Sequence, residues 1–446
     1  MAAGGGIFTA QNEVLPGAYI NFVSKARALG SIGERGVVAV PFIGSWGKEE
    51  EVVSVTAEDF QKNCLSVLGY SYTDDKMLPL REVFKGASEV KLFRLGKSEK
   101  AKAVIGSGDD TLIVTAVCGG IRGNDIKIVV ESNIDDNDSF IVKTLVGSEF
   151  TEADSQIVSS VDELKANDFV TFNGKNIVPT AGTNLSGGTD ADITGNDYSA
   201  FLDKIEAENF TTILYAGSDE VTKGFFTGFV KRLRDDEGYK ITCVLHDYSK
   251  ADFEGIISVK NDCAAVDGVI DKAGLVYWTA GKTAGAEVNK SLTNIKYDGE
   301  LSVLAAYKKS ELKEFIQTGE FIFYGDRGEY KVLKDINSFT SVTADKNNDF
   351  SNNQVIRVLD AVANDTARIF DRYYLGKVQN NNLGRNIFKS ELINYHNQLE
   401  AIQAIENFNS EDITVEKGAQ KGDVIVNEYI EPVGAMDKLY MTCVVE

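Results

Sequence analysis

The feature that most narrows what this chain can fold into is an alternation of two hydrophobic periods. Tyr198, Phe201, Leu202 and Ile205 recur at helical spacing, "FTTILYAG" is an apolar run of strand length, "EVTKGFFTGFVKRLRD" is again helical, and "YKITCVLHDY" is again a strand. The same order occurs nearer the start. There "GVVAVPFI" reads as a buried strand and "VTAEDFQKNCLSVLG" as a helix, opened by Thr56 with Glu58 and Asp59 and carrying Phe60, Cys64, Leu65 and Leu68 on one face. "EVKLFRL" follows as a strand. Repeated strand-helix units of this kind require a largely parallel sheet covered by helices on its faces.

The two stretches of alternation are separated by about one hundred residues of different character. Between roughly 96 and 196, short runs such as "TLIVTAV", "DIKIVVES", "SFIVKTLV" and "DFVTFNG" are broken by Gly, Asn and Asp clusters, which predicts an all-β insertion. After Ser338 the pattern turns helical. Val355, Leu359, Val362, Ile369 and Tyr373 share one face, "FKSELINYHNQLEAIQAIENF" follows, and two antiparallel helices are the simple reading. Both ends are β-prone: a glycine-rich start with "IFTA" and "GAYINFVSKAR", and a finish with "DVIVNEYIEPVG" and "DKLYMTCVVE". The expected division is an arm at 1–17, an α/β core at 18–95 and 197–338, the β insertion at 96–196, helices at 339–421, and strands with an arm at 422–446.

Charge and cysteine content exclude several classes. With 67 acidic against 46 basic residues the net charge is -21, which disfavours nucleic acid and anionic membranes as partners. Five scattered cysteines without a CxxC pair argue against a disulfide framework or a zinc knuckle, and predict mostly buried thiols. The start lacks the basic and apolar regions of a leader, and no apolar run approaches the roughly 18 residues of a membrane span, so synthesis in the cytoplasm is expected.

Catalytic readings fail on spacing. "WTAGKTAGAEVNK" ends like a phosphate loop, but six residues before Lys282 stands Val276 where that loop needs glycine. Read as a helix, Val276, Ala280, Ala284 and Val288 form one row, and Tyr277, Gly281, Gly285 and Asn289 the next. The result is a core helix whose Ala280, Gly281, Ala284 and Gly285 let a neighbour approach closely. His246 stands beside Asp247, yet no GxSxG elbow presents a serine, and His396 in "NYHNQLE" is expected on a solvated surface. "NIDDNDSF" lacks the glycine and glutamate of a calcium loop and reads as a hairpin turn; "GSGDD" lacks the third glycine of a dinucleotide fingerprint. No catalytic residue, cofactor or metal is expected.

Three spaced motifs carry a family resemblance: "TAQNEVLPGAYINF", "GGIRGNDIKIVV" and "AGKTAGAEVNKSLTNIKYDGE", with "RVLDAVANDTARIF" and the C-terminal strands in the same order. Over essentially its whole length the chain resembles contractile tail sheath proteins of phages, Gram-positive prophages and phage-tail-like bacteriocins of the diffocin and PBSX type. The resemblance implies an α/β core of subtilisin-like topology without a catalytic site, an inserted β domain, and a C-terminal α/β domain near an inner tube. It implies a helical homopolymer of hexameric rings that contracts around a tail tube, meets baseplate and terminator proteins, and ends in a phage or tail-like particle released by lysis.

It also implies that terminal arms add strands to neighbouring subunits. Carried onto this chain, Ile7, Phe8 and Thr9 are the N-terminal donated strand; Val424, Val426 and Tyr429, with Leu439, Tyr440, Met441 and Val444, form the receiving sheet or the C-terminal arm. Residues 351–390 hold six basic groups against three acidic ones in an otherwise acidic chain, so Arg357, Arg368, Arg372, Lys377, Arg385 and Lys389 are the tube-facing candidates. The rival readings are another self-assembling shell or surface-layer protein, and a hydrolase on the same core, which would need a nucleophile and base that the sequence does not offer.

Overall fold

The computed structural model describes residues 35–108, 110–136, 138–147 and 149–445. The expected N-terminal arm and the strand read in "GAYINFVSKAR" lie outside the described residues. The chain opens with β1 (Val37–Phe42), β2 (Val52–Thr56), α1 (Ala57–Lys62), α2 (Cys64–Leu68), α3 (Leu78–Val83) and β3 (Glu89–Arg94). Seven strands follow without an intervening α-helix: β4 (Lys102–Ser107), β5 (Asp110–Ala116), β6 (Ile126–Ser132), β7 (Phe140–Val146), β8 (Thr151–Val158), β9 (Val170–Gly174) and β10 (Thr180–Asn184). The alternation then resumes as α4 (Gly195–Ile205), β11 (Thr212–Tyr215), α5 (Glu220–Asp235), β12 (Thr242–His246), β13 (Ile256–Val259), α6 (Leu275–Gly285), α7 (Lys309–Gln317) and β14 (Glu320–Phe321).

The main sheet has the order β14-β13-β12-β11-β1-β3-β2, parallel throughout except for the edge strand β2. Successive residues of its strands serve opposite layers, as the two-residue pleat demands. Val38, Val40 and Val244 pack toward α3 and α6, whereas Ala39, Cys243 and Leu245 pack toward α4 and α5. Thr56 caps α1 by accepting from Asp59 N, as its sequence signature predicts. The expected single helix is broken at Asn63, and Leu65 turns outward while Phe60, Cys64 and Leu68 are buried.

The glycine rows of α6 meet α3 and the turn after it. A Cβ on Gly281 would stand 2.0 Å from Val83 O, one on Gly285 2.0 Å from Gly86 O, and one on Gly86 2.3 Å from Gly281 O. Ala280 and Ala284 are buried alongside. The helix ends at Gly285, so Val288 and Asn289 lie beyond it.

The insertion is a β-sandwich. A four-stranded sheet, β10-β6-β7-β8, faces a three-stranded one, β4-β5-β9, across a core that includes Leu112, Val114, Ile126, Ile128, Val142 and Val170. β6 and β7 pair as a hairpin up to Ser132 and Phe140, so "NIDDNDSF" falls at their connection. Arg94, at the end of β3 and 2% exposed, fixes the sandwich to the core. Its guanidinium donates to Gly44 O, Gly47 O, Gly119 O and Ser98 Oγ at 2.8–2.9 Å and pairs with Glu49 at 3.3 Å. So many partners offset the cost of burying that charge.

After the hairpin β15 (Phe323–Asp326) and β16 (Glu329–Val332), the last part of the chain is α8 (Asn353–Ile369), α9 (Asn382–Ala401), β17 (Ile405–Glu406), β18 (Ile413–Lys417), β19 (Val424–Glu428) and β20 (Glu431–Pro432).

Candidate assembly surface

The inner half of α8 belongs to the α/β core. Arg234 of α5 donates to both Asp360 oxygens at 2.7 Å, and Asn364 bonds Lys240 N and O at 3.0 and 2.8 Å. Arg357 was expected at the surface, but it is 4% exposed, pairs with Asp335 at 3.4 Å and donates to Lys290 O. It therefore cannot face a tube. Counting charges along the chain could not separate it from the exposed cations, because its partners come from segments far away in sequence.

The outer half behaves differently. Residues Phe370–Tyr374 widen into a π-helical turn, and Tyr374 and Phe370 close on Phe388 of α9 at 4.6 and 5.5 Å between ring centres. Arg368, paired with Asp365 at 2.7 Å, and Arg372 are exposed there; Lys377 in the connecting turn bonds Arg372 O. Arg385 and Lys389 are half-buried on the first turns of α9, Arg385 donating to Asn380 Oδ1 at 2.8 Å. Five of the six candidate cations thus lie along the outer part of α8, the connecting turn and the start of α9. Sequence counting missed that Tyr373, Leu375, Leu383 and Ile387, about half or more exposed, lie among them.

The two helices meet through Val358, Val362 and Leu399, with Tyr395 Oη donating to Asp365 at 2.9 Å, so they run in opposite senses. Beyond them β18 and β19 form a two-stranded sheet whose Ile413, Val415, Val424 and Val426 pack on Phe388 and Leu392 of α9. Tyr429 N donates to Asp412 O and Gly418 N to Asp423 O at the two ends of the hairpin. In an antiparallel ladder bonded pairs alternate with unbonded ones. The backbone groups of 413, 415 and 417 on one strand, and of 424, 426 and 428 on the other, therefore point away from the partner. Among the described residues neither outer edge is paired.

The tail leaves from a fixed point. Val433 N donates to Ala404 O at 3.0 Å, and Gln354, 2% exposed, donates to Val433 O and accepts from Ala435 N, both at 3.0 Å. Past this anchor Leu439, Tyr440, Met441 and Val444 are 74–87% exposed and belong to no strand. Burying a side chain of that size releases about 1.5–3 kcal/mol, so the tail carries a strong tendency to be covered. Ile7, Phe8 and Thr9 lie outside the described residues.

The remaining candidates for chemistry are accounted for locally. The carboxyl ends of the main strands open on a cleft of about 740 Å³ lined by Tyr70, Tyr198, Tyr215 and Tyr277. His246 is buried, its Nε2 lies 2.8 Å from Asp262 Oδ1, and its Nδ1 has no partner, so no hydroxyl or thiol is held by it. Burial lowers its pKa despite the Asp262 carboxylate. His396, expected in solvent, is wholly buried, because Phe408 stacks on its ring at 5.0 Å and β19 covers its other side. Cys64, Cys118, Cys243 and Cys263 are buried and Cys443 is exposed. Among the described residues no cluster of His, Cys, Asp or Glu could hold a metal, and no helix is long and apolar enough to cross a membrane.

The architecture is a three-layered α/β sheet with an inserted β-sandwich and, among the described residues, a C-terminal hairpin with unpaired edges and an exposed tail. Family models match the chain in series: domain III, N-terminal region, of the tail sheath protein Gp18 at 35–95; the tail sheath β-sandwich domain at 95–190; the tail sheath central domain at 191–338; and the tail sheath C-terminal domain at 345–446. The chain is 36% identical to the phage-like element PBSX protein XkdK of Bacillus subtilis (strain 168), over 98% of each chain. It superposes on the sheath tail protein of Desulfitobacterium hafniense with a TM-score of 0.81 and 42% identity, over 95% of this chain and 99% of that one. The helical sheath of the anti-feeding prophage in its contracted state shares the fold at 13% identity, with a TM-score of 0.55 over 97% and 99% of the two chains. The chain belongs to the phage tail sheath family of Gram-positive prophage type. It is a structural sheath subunit of a phage tail or tail-like particle, not an enzyme.

Proposed function

We propose that this chain polymerises as stacked hexameric rings around a tail tube and contracts to drive that tube through a target cell envelope, without nucleotide hydrolysis. Subunits made in the cytoplasm join baseplate, tube and terminator proteins in a particle released by lysis. The core is of subtilisin-like topology used as a scaffold. The chain divides into an arm at 1–17, a core at 18–95 and 197–338, an insertion at 96–196, C-terminal helices at 339–421, and strands with an arm at 422–446.

The observation that carries this reading is the open hairpin beside an uncovered β-prone tail. Two unpaired edges are a liability unless something pairs with them, and strand addition from another subunit satisfies edge and tail together. Leu439 to Val444 supply the C-terminal arm, Ile7 to Thr9 the N-terminal one, and Val424 to Glu428 with Ile413 to Lys417 the receiving sheet. Arg368, Arg372, Lys377, Arg385 and Lys389, with the apolar residues among them, face the tube. Polymer contraction then moves rigid bodies while the shared strands keep subunits joined.

The test is sedimentation of the full chain beside chains lacking residues 436–446 or 1–12. The full chain should pellet as polymer, and both truncated chains should remain monomeric with the far-UV circular dichroism and melting temperature of a folded protein. Pelleting of folded, truncated chains to the same extent would overturn strand addition.

A further inference from the structure

His396 lies in the last turns of α9 with its two ring nitrogens facing different groups. Nδ1 is 2.8 Å from Leu392 O, one turn back. A carbonyl only accepts, so this nitrogen carries the hydrogen. Nε2 faces Glu428 Oε2 of β19 at 3.5 Å, and neither Nε2 nor Glu428 Oε1 has a hydrogen-bond partner. A neutral ring held this way would present a buried lone pair to a carboxylate oxygen, two acceptors with no hydrogen between them. Such an arrangement is costly inside a protein, and one additional proton between the two groups resolves it.

The surroundings hold the ring in place without supplying that proton. Phe408 stacks on one face at 5.0 Å with an interplanar angle of 25°, and the Tyr395 ring meets it edge-on at 5.6 Å. Tyr395 turns its hydroxyl to Asp365 of α8, and Glu400 of α9 accepts from Phe408 N at 3.1 Å. Among the described residues, Glu428 is the charged group that reaches the ring.

We propose that a proton held between His396 and Glu428 fastens β19 to α9, so that the hairpin is a competent receiver of a neighbour's strand only while that proton is bound. The proposal rests on the strand-addition reading above. Burial by itself would lower the imidazole pKa, but the Glu428 carboxylate and the Leu392 carbonyl outweigh it, and the net shift is upward. A group whose folded pKa is raised stabilises fully below its unfolded pKa, about 6.5 for histidine. That stabilisation is lost as pH rises through the folded value, when the Nε2 proton passes to solvent. Mildly alkaline conditions should therefore loosen β19.

The chain has two histidines, so their imidazole resonances can be followed separately by NMR in the full, histidine-labelled chain, on the supernatant left after polymer has been pelleted. His396 should titrate above the ordinary value. Glu428→Gln should lower its proton affinity at least tenfold, because the amide can donate to a neutral Nε2. Between about pH 6 and pH 8.5, amide exchange at 424–428, corrected for the intrinsic rate, should rise about tenfold or more in the parent and stay flat in Glu428→Gln, with polymer yield following the same pattern. Titration of His396 at or below the ordinary value would overturn the proposal, as would equal pH dependence in parent and variant. The first measurement needs no variant to fold. Titration and exchange are read on unpolymerised chain and strand addition on the truncated chains, so the two readings can fail separately.

Discussion

Replacing Gly281 by alanine sets helix propensity against packing. Propensity alone predicts a gain of about 1 kcal/mol, since an interior glycine is that much worse than alanine. The structure predicts a loss. The new Cβ would lie 2.0 Å from Val83 O and 2.8 Å from Val83 C, against an ordinary carbon-to-oxygen approach of about 3.3 Å. Both obstacles are backbone, so no side-chain rotation relieves them, and α3 and α6 must part by about 1 Å. Gly285 and Gly86 hold the same seam at two more points, and Val83, Phe84, Trp278 and Ala280 around it are fully buried. Overpacking of such a site costs about 1–3 kcal/mol or more; with an unyielding backbone the upper end applies, leaving a net loss of about 2 kcal/mol. Urea unfolding followed by tryptophan fluorescence measures it. Gly228→Ala is the control in the same series: that glycine is exposed on α5 with nothing within 4 Å of its missing Cβ, and alanine there should stabilise by about 0.5–1 kcal/mol. If Gly281→Ala matches or exceeds the parent in stability, the close-packed seam is refuted.

Three further outcomes follow from the C-terminal region. Asp360→Ala leaves the Arg234 guanidinium buried without its carboxylate and should cost about 3–5 kcal/mol, seen as a large fall in melting temperature; a change within error would show that the pair does not join α8 to the core. Gln354→Ala removes the side-chain hydrogen bonds to Val433 O and from Ala435 N, so amide exchange at Ala435 should accelerate while that of α6 is unchanged; protection of Ala435 in the variant would mean another group anchors the tail. Reversing Arg368 and Arg372 to glutamate should impair assembly on tubes, most at low salt where exposed charges are least screened, while sheath-only polymers form normally; unchanged tail yield would remove these residues from the tube surface.

How far the sequence could be read depended on the range of the interactions. Alternating periods placed α4, β11, α5 and β12 correctly, because amphipathic spacing is local, and the two rows of small residues identified α6 as a helix built for close approach. The rows could not say that α3 was the partner. Asn63 broke a continuous helical pattern by adopting a non-helical conformation between α1 and α2, which spacing does not reveal. His396 was misplaced because its polar neighbours suggest a solvated face, whereas Phe408 and Glu428 bury it from later in the chain. Arg357 was misplaced for the same reason. Gln354 carried no signal at all: its partners lie 65, 79 and 81 residues away. Of the proposed assembly surface, the basic stretch and the β-prone segment at 424–428 were legible, but the edges left unpaired among the described residues and the tail anchor were not.

The central claim is that subunits are joined by strands added to the C-terminal hairpin. Cryo-electron microscopy of the polymer formed by the full chain reads this directly. The expected polymer has a sheet in which Ile413–Lys417 and Val424–Glu428 are flanked by at least one strand belonging to another subunit, with density for residues 439–444 or 7–9 in register on an outer edge. A polymer in which the hairpin stays two-stranded, with subunits touching only through side chains, would contradict it.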